Sequence, residues 1–306
     1  MRRILHIIPI LAIIVLALSA CSKQVVAGSQ KGNQIISQMG NAISEETKKV
    51  TEKVAQEKAE AEKKAKEEAE AQAKKEQEST VAQVSKVEAI PGQHRDPNSA
   101  VVVIDPGHQL RGDSAKEPNG PGSSTMKARV TGGATGVATK VAEYVMNLNV
   151  SLKLKTELEN RGYTVYMTRS THDVNISNKE RAEYATSVGA DIAVRIHGNG
   201  STSASIHGAE CYAPSAKNPY VSHLSKASVS LSKCIIDSYC QATGFKNRGV
   251  FTSDTMTGIN WSTVPVTILE LGYMSNAQED RKMQDETIQN NMVQGIANGI
   301  DRYFGF

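Results

Sequence analysis

Neither sign of charge dominates this sequence of 306 residues: 35 Lys and Arg stand against 32 Asp and Glu, a formal net charge of +3. That balance excludes a strongly basic nucleic-acid binder and an acidic disordered tail as descriptions of the whole chain. Apolar side chains are scarce, at 39%, which is low for one compact domain. The shortage is uneven. Residues 1–20 are nearly all apolar, residues 22–99 almost lack large apolar side chains, and residues 100–306 have an ordinary composition. No internal repeat is present, and no C-x-x-C pair suggests a thiolate metal site. Residues 100–306 hold 20 basic and 19 acidic side chains, without a phosphate-binding footprint. A stretch of that length can bury a full core by itself.

Arg2 and Arg3 precede an apolar run from Ile4 to Leu18, and polar sequence begins directly after Cys21. A basic start, an apolar stretch and small residues at the cut describe a secretory signal. Leu18-Ser19-Ala20-Cys21 resembles the end of a bacterial lipoprotein signal, with Cys21 becoming the lipidated N-terminus. An uncleaved membrane anchor is the alternative, although the run is short for a span of about 20 residues. Both readings place residues 22–306 outside the cytoplasmic membrane. Cys211, Cys234 and Cys240 remain, an odd number that allows at most one internal disulfide. On a helix, Cys234 and Cys240 face different ways, which favours Cys211 pairing with either one.

Residues 45–78 hold 11 Glu and 9 Lys, with Ala in most of the gaps. This is good helix composition, with many Glu–Lys neighbours three or four apart. Large apolar residues at coiled-coil a and d positions are missing, which argues against a stable coiled coil. The segment reads as a helical or disordered spacer, and a partner-binding helix is the alternative. Pro91-Gly92 and Asp96-Pro97 mark a boundary. The chain thus divides into a signal peptide (1–20), a charged spacer (21–99) and a folded domain (100–306).

In that domain, short apolar runs alternate with helical patterns. Val101 to Ile104, Tyr163 to Met167, Asp191 to Ile196, Ala209 to Ala213 and Val264 to Leu271 read as strands. Helices are expected at 141–160, 177–188 and 221–243, with a last one striped by Ile288, Met292, Val293, Ile296 and Ile300. In the first, Val141, Val145, Leu148 and Leu152 form the apolar face. Ser177 and Glu180 make a capping box, and Gly244 stops the third helix. The alternation predicts an α/β fold, a single twisted, mostly parallel sheet flanked by helices.

Ligands of open α/β sheets bind beyond the carboxyl ends of strands. The first apolar run ends in Asp105-Pro106-Gly107-His108, the run at 191–196 in His197, and the run at 264–269 in Glu270. Two imidazoles and a carboxylate at one sheet edge are zinc ligand types. A carboxylate closing an apolar strand needs a partner, since burying it unpaired is costly. Glu143, in the first helical turn after a long loop, is a further candidate. It lies opposite the Val141 stripe yet shares its side with Val150 and Leu154. A solvated first-turn residue favoured by the helix dipole is an equal reading. His172, His207 and His223 lack strand-end placement and read as surface or supporting residues, and His94 falls in the spacer. Arg169 and Arg181 read as structural ion-pair partners.

These residues together resemble the zinc-dependent N-acetylmuramoyl-L-alanine amidases of bacterial cell-wall turnover, over most of 100–306. Val102 to His108 is similar to the opening strand and first ligand of that family. Glu143 with Asn147-Leu148, Arg161 to Val165, Met167-Thr168-Arg169, Arg181, and Ile196-His197-Gly198-Asn199 follow in order. Glu270 to Asn276 resembles the family signature E-x-G-[FY]-x-[ST]-N, whose glutamate is catalytic. The resemblance implies Zn²⁺ held by His108, Glu143 and His197, with Glu270 as general base. It also implies peptidoglycan as substrate and the amide between N-acetylmuramic acid and L-alanine as the bond cut. The chain departs from the pattern at Arg195, where the family has Ser, and at Gly198, where it has Ala. Residues 111–140 form a long loop, with 15 of 30 positions Gly, Pro, Ser or Thr. A loop this long is usually functional, by widening the groove, closing over it, or blocking the metal.

The expected partners are peptidoglycan, the membrane through lipidated Cys21, and a protein activator of unknown identity, with no nucleic acid. The expected location is the outer face of the cytoplasmic membrane. Competing readings are a non-catalytic peptidoglycan-binding lipoprotein, a zinc peptidase acting on the peptide stem, and a glycosidase using Glu143 and Glu270. The last leaves both strand-end histidines without a role.

Overall fold

The computed structural model describes Asn41, Glu45, Lys48, Lys49, Thr51 and residues 99–306. The expected signal segment, Cys21, His94 and most of the spacer lie outside the described residues. The chain divides into two units, Met1–Ser85 and Lys86–Phe306. In the first, the five described residues are helical, and Lys49 Nζ lies 3.9 Å from the Glu45 carboxylate one turn away. Among the described residues, no helix is long and apolar enough to cross a membrane.

The second unit contains a six-stranded sheet in the order β4-β1-β5-β8-β6-β7. Its strands are β1 (Val101–Pro106), β4 (Thr164–Met167), β5 (Ile192–Asn199), β6 (Ala209–Ala213), β7 (Asn247–Thr252) and β8 (Val266–Tyr273). All neighbours pair in parallel except β6 with β8. The helices are α1 (Glu143–Asn160), α2 (Asn178–Ser187), α3 (Ser225–Thr243), α4 (Thr257–Asn260), α5 (Ala277–Gln284) and α6 (Glu286–Phe304). A single short 3₁₀ turn, Ser222–Leu224, precedes α3, so the predicted helix at 221–243 starts later than its apolar pattern suggests.

The core follows strand alternation. Val102 and Ile104 of β1, with Ile192, Val194 and Ile196 of β5, pack with Met146, Val150 and Leu154 of α1 and with α3 and α6. The opposite face carries a smaller cluster, with Val103, Ala193, Val266 and Ile268 beside Ala185 and Ile259. Asp105, Arg195, His197 and Glu270 continue those alternating positions toward the carboxyl ends of the strands. The apolar cover therefore gives way to polar groups at one edge of the thinner face. Helix α2 starts where its sequence signals it: Ser177 accepts from the Glu180 N–H, and the Glu180 carboxylate accepts from the Ser177 N–H.

Three expectations need correction. The stretch 111–140 is not a plain loop, because β2 (Asp113–Pro118) and β3 (Met126–Val130) pair in it as an antiparallel hairpin. The buried face of α1 keeps only Leu148 of the expected stripe: Leu152 is exposed, and Glu143, Met146, Asn147, Val150, Ser151, Leu154 and Leu158 are buried. Finally, Cys211, Cys234 and Cys240 are all free thiols, so Cys211 has neither expected partner.

Candidate metal centre

His108, Glu143 and His197 meet at one point, their ligand-type atoms all within 4.8 Å of one another. Each arrives from a different element. His108 follows β1 in a left-handed backbone conformation, φ 60°, which is uncommon for a residue with a side chain. His197 sits in the last part of β5, and Glu143 opens α1. The imidazole of His197 packs flat over Gly107, where a Cβ would stand 2.3 Å from the ring.

One carboxylate oxygen, Glu143 Oε1, collects most of the polar contacts. His108 Nε2 and His197 Nδ1 each lie 3.2 Å from it, the Gly198 N–H donates to it at 3.0 Å and Asn147 Nδ2 at 3.3 Å. The other oxygen accepts the Ala134 N–H at 2.7 Å. Burial opposes ionisation of Glu143, but the two adjacent histidines hold its carboxyl well below the ordinary range. Burial also works against the charged form of His108, and Glu143 outweighs it, so that His108 is raised; in His197 burial prevails and the imidazole is lowered.

His108 Nδ1 donates to the Thr131 carbonyl at 2.9 Å. A carbonyl only accepts, so in the neutral ring Nδ1 carries the proton and Nε2 keeps its lone pair toward Glu143. The centre thus offers two imidazole nitrogens and a carboxylate oxygen. Donors about 2.0–2.1 Å from a shared tetrahedral ion stand about 3.3 Å apart, close to the two His–Glu separations. The set fits a divalent ion of the zinc type.

Below the centre lies a buried charge cluster. Asp105 accepts from Arg181 Nη1 at 2.7 Å, from Arg195 Nε at 2.8 Å, and from the Thr168 hydroxyl. Burial raises such a carboxyl, but Arg181 and Arg195 hold Asp105 far below its ordinary value. Arg181 also donates to the Pro106 and His108 carbonyls, at 2.9 and 3.1 Å. Arg169 has no ion-pair partner among the described residues, which corrects its expected role. It donates instead to the carbonyls of Pro106, Gly107, Tyr144 and Thr171, and burial followed by the nearby Arg181 pushes it down to about 10. These guanidinium groups fix the backbone that presents His108.

A cleft of about 650 Å³ opens beside the centre. Glu270 lines it and is the register partner of His197 across β5 and β8. Burial first, then the carboxylates of Glu143 and Glu210, push the Glu270 carboxyl well above the ordinary range. Its side chain accepts no hydrogen bond from the described residues. The far wall is the β2–β3 hairpin, with Lys116, Met126 and Lys127 facing the cleft. Trp261 Nε1 donates to the Pro118 carbonyl at 2.8 Å, and Asn260 Nδ2 to the Asn119 carbonyl at 3.0 Å. Arg129 of β3 pairs with Glu180 of α2 at 2.8 Å. The hairpin is thus fastened on both sides.

The remaining histidines stand apart: His172 packs edge-on against Tyr144, His207 bonds the Ser205 carbonyl, and His223 sits in the 3₁₀ turn. Three residues to which the sequence had assigned no role build the site. Asn147 bridges Glu143 and the Gly107 carbonyl, and its position four residues after Glu143 was the available signal. Arg195 was visible only as a departure from a pattern. Asp280 gave no local signal: from α5 it accepts the Ala138 and Thr139 N–H groups, at 2.7 and 2.8 Å, in the turn that leads into Glu143.

Comparison with known proteins gives a consistent result. The family described as N-acetylmuramoyl-L-alanine amidase matches residues 102–302. The N-acetylmuramoyl-L-alanine amidase LytC of Bacillus subtilis is 26% identical over 168 residues, 55% of this chain and 32% of LytC. The chain therefore spans about a third of that relative's length. The catalytic domain of CwlV, an N-acetylmuramoyl-L-alanine amidase from Bacillus (Paenibacillus) polymyxa var. colistinus, is 31% identical, with a TM-score of 0.53 over 67% of this chain and 97% of that one. The apo form of Ami1, an N-acetylmuramyl-L-alanine amidase from Mycobacterium abscessus, is 27% identical, with a TM-score of 0.60 over 67% of this chain and 98% of that one.

Proposed function

The chain belongs to the N-acetylmuramoyl-L-alanine amidase family, and from that membership we propose that it is a peptidoglycan hydrolase. The bond it cuts is the amide between the lactyl group of N-acetylmuramic acid and L-alanine. The observation that carries this reading is the meeting of His108, Glu143 and His197 beside a cleft in which Glu270 has no hydrogen-bond partner among the described residues.

His108 through Nε2, Glu143 through Oε1 and His197 through Nδ1 would hold zinc, three protein ligands that leave a fourth position open. When bound, zinc acidifies a water and polarises the scissile carbonyl. Glu270 is the base. Its carboxylate takes a proton from the attacking water and delivers it to the nitrogen of the leaving L-alanine as the C–N bond breaks. Its raised pKa suits a group that must accept and then release a proton. No covalent link to the protein is formed. Arg169, Arg181 and Asn147 act on the ligands by holding the backbone and carboxylate that present them.

The enzyme then works outside the cytoplasmic membrane, where its substrate lies, held at the outer face through lipidated Cys21. Analysis of digested peptidoglycan tests the activity. A new amino group on L-alanine is the expected product end. An amino group on a later stem residue, or new reducing sugar ends, would replace this reading with a peptidase or a glycosidase.

A further inference from the structure

The charge of the cleft is lopsided. Among its described lining residues Glu270 is the one carboxylate, while Arg195, Lys116 and Lys127 are cationic. Beneath it, Arg181 and Arg195 hold the one carboxylate Asp105, while Glu143 and Glu210 stand beside Glu270. A low-dielectric region with surplus positive charge favours an anion beside it.

Arg195 is built to meet that anion. Its side chain is 5% exposed, Nε is committed to Asp105 and Nη2 donates to Asn178 Oδ1 at 2.7 Å. Nη1 has no acceptor among the described residues. It lies against Gly258 on the cleft wall. Glycine at 258 is thus what makes room for the guanidinium, and no other side chain fits there. Across the cleft, Lys116 has no ion pair among the described residues, whereas Lys127 is engaged with the Thr255 carbonyl. The serine that the family resemblance places at 195 is too short to reach Asp105 and the cleft wall together.

We propose that Arg195 and Lys116 form a subsite for a carboxylate of the peptide stem, so that the enzyme selects stems in which the acid following L-alanine is free over the same stems with that acid amidated. The inference rests on the amidase reading and adds a substrate preference to it. Arg195 supplies a fixed, partly desolvated donor, and Lys116 supplies long-range attraction.

Two synthetic N-acetylmuramoyl tripeptides test it, one with a free carboxylate on the residue after L-alanine and one with the carboxamide. The full-length zinc-loaded chain should favour the carboxylate form about tenfold or more in kcat/KM, the size expected for a charged hydrogen bond. Arg195→Ser, assayed at saturating zinc, should bring the ratio close to one. Lys116→Gln leaves the Asp105 cluster intact and should lower the ratio about threefold, as for a partly screened charge. Equal kcat/KM for both compounds in the wild type overturns the proposal. An unchanged ratio in Lys116→Gln overturns the two-residue subsite, even where Arg195→Ser does not fold. If neither compound is cleaved, the amidase reading fails separately. Calorimetry of both compounds with zinc-loaded Glu270→Gln then decides the subsite: tighter binding of the carboxylate form supports it and equal binding overturns it.

Discussion

Asp105 and Arg195 are joined twice: they are register partners across β1 and β5, and Arg195 Nε donates to Asp105 Oδ2 at 2.8 Å. The pairing ties the strand that leads into His108 to the strand that carries His197. With Arg181 on the other oxygen, Asp105 becomes the point from which both imidazoles are positioned.

Asp105→Asn should therefore cost stability. Removing one partner of a buried ion cluster costs about 3–5 kcal/mol, because the remaining charges are left uncompensated. The folded pKa of Asp105 lies below its ordinary value of 3.8. Its contribution is thus complete above the unfolded pKa and is lost as pH falls toward the folded one. Urea unfolding of both proteins should show the full gap at neutral pH and a narrowing gap below about pH 4. A gap that stays constant through the acid range contradicts this account.

Metal removal should lower the thermal midpoint of the wild type, and zinc should restore it. A ligand at about 100 times its dissociation constant stabilises by about 2.7 kcal/mol. His197→Ala should unfold at the same temperature with and without zinc. A zinc-dependent midpoint in that variant would place the ion elsewhere.

Glu270→Gln should keep the shape of the site and bind zinc as the wild type does. Loss of a positioned proton acceptor costs about 10²–10⁴-fold in rate. Single-turnover cleavage of a muropeptide, measured beside zinc content, separates the two. Turnover within a few-fold of wild type would remove Glu270 from the chemistry.

Asp280→Ala should weaken zinc binding without touching a ligand. The Asp280 carboxylate accepts two N–H groups and the Thr139 hydroxyl, all within 2.8 Å, in the turn just before Glu143. Leaving a buried donor unpaired costs about 1–3 kcal/mol, and less for these part-buried ones. A competition titration with a chromophoric chelator should show lower affinity in the variant, while zinc-saturated turnover recovers.

The sheet edge was legible because each strand there announces itself. An apolar run stops at Asp105, at Ile196 before His197, and at Leu269 before Glu270, and one position is enough to place each residue at a strand end. The face of α1 was not legible. Its buried side includes Glu143, Asn147 and Ser151, so apolar periodicity pointed at Val141 and Leu152 instead. Two of those polar residues are buried because they serve the centre: Asn147 donates to Glu143 and to the Gly107 carbonyl. The β2–β3 hairpin was hidden for a different reason. Its Gly, Ser and Pro content reads as loop, and what orders it comes from distant partners, Trp261, Asn260 and Glu180. The edge strand β7, with Arg248 and Gly249 inside it, lacks the apolar run that marked its neighbours.

The hairpin also sets a dimension. Its attachments to α2 on one side and to the α4 segment on the other act like the two jaws of a gauge, so the gap above Glu270 is set by hydrogen-bond lengths. On the proposed amidase reading, a stem peptide would pass that gap to bring its first amide to the three ligands. Shortening or lengthening the segment between Asp113 and Val130 would then change which thickness of polymer is admitted, while the chemistry at the end of the slot stays the same.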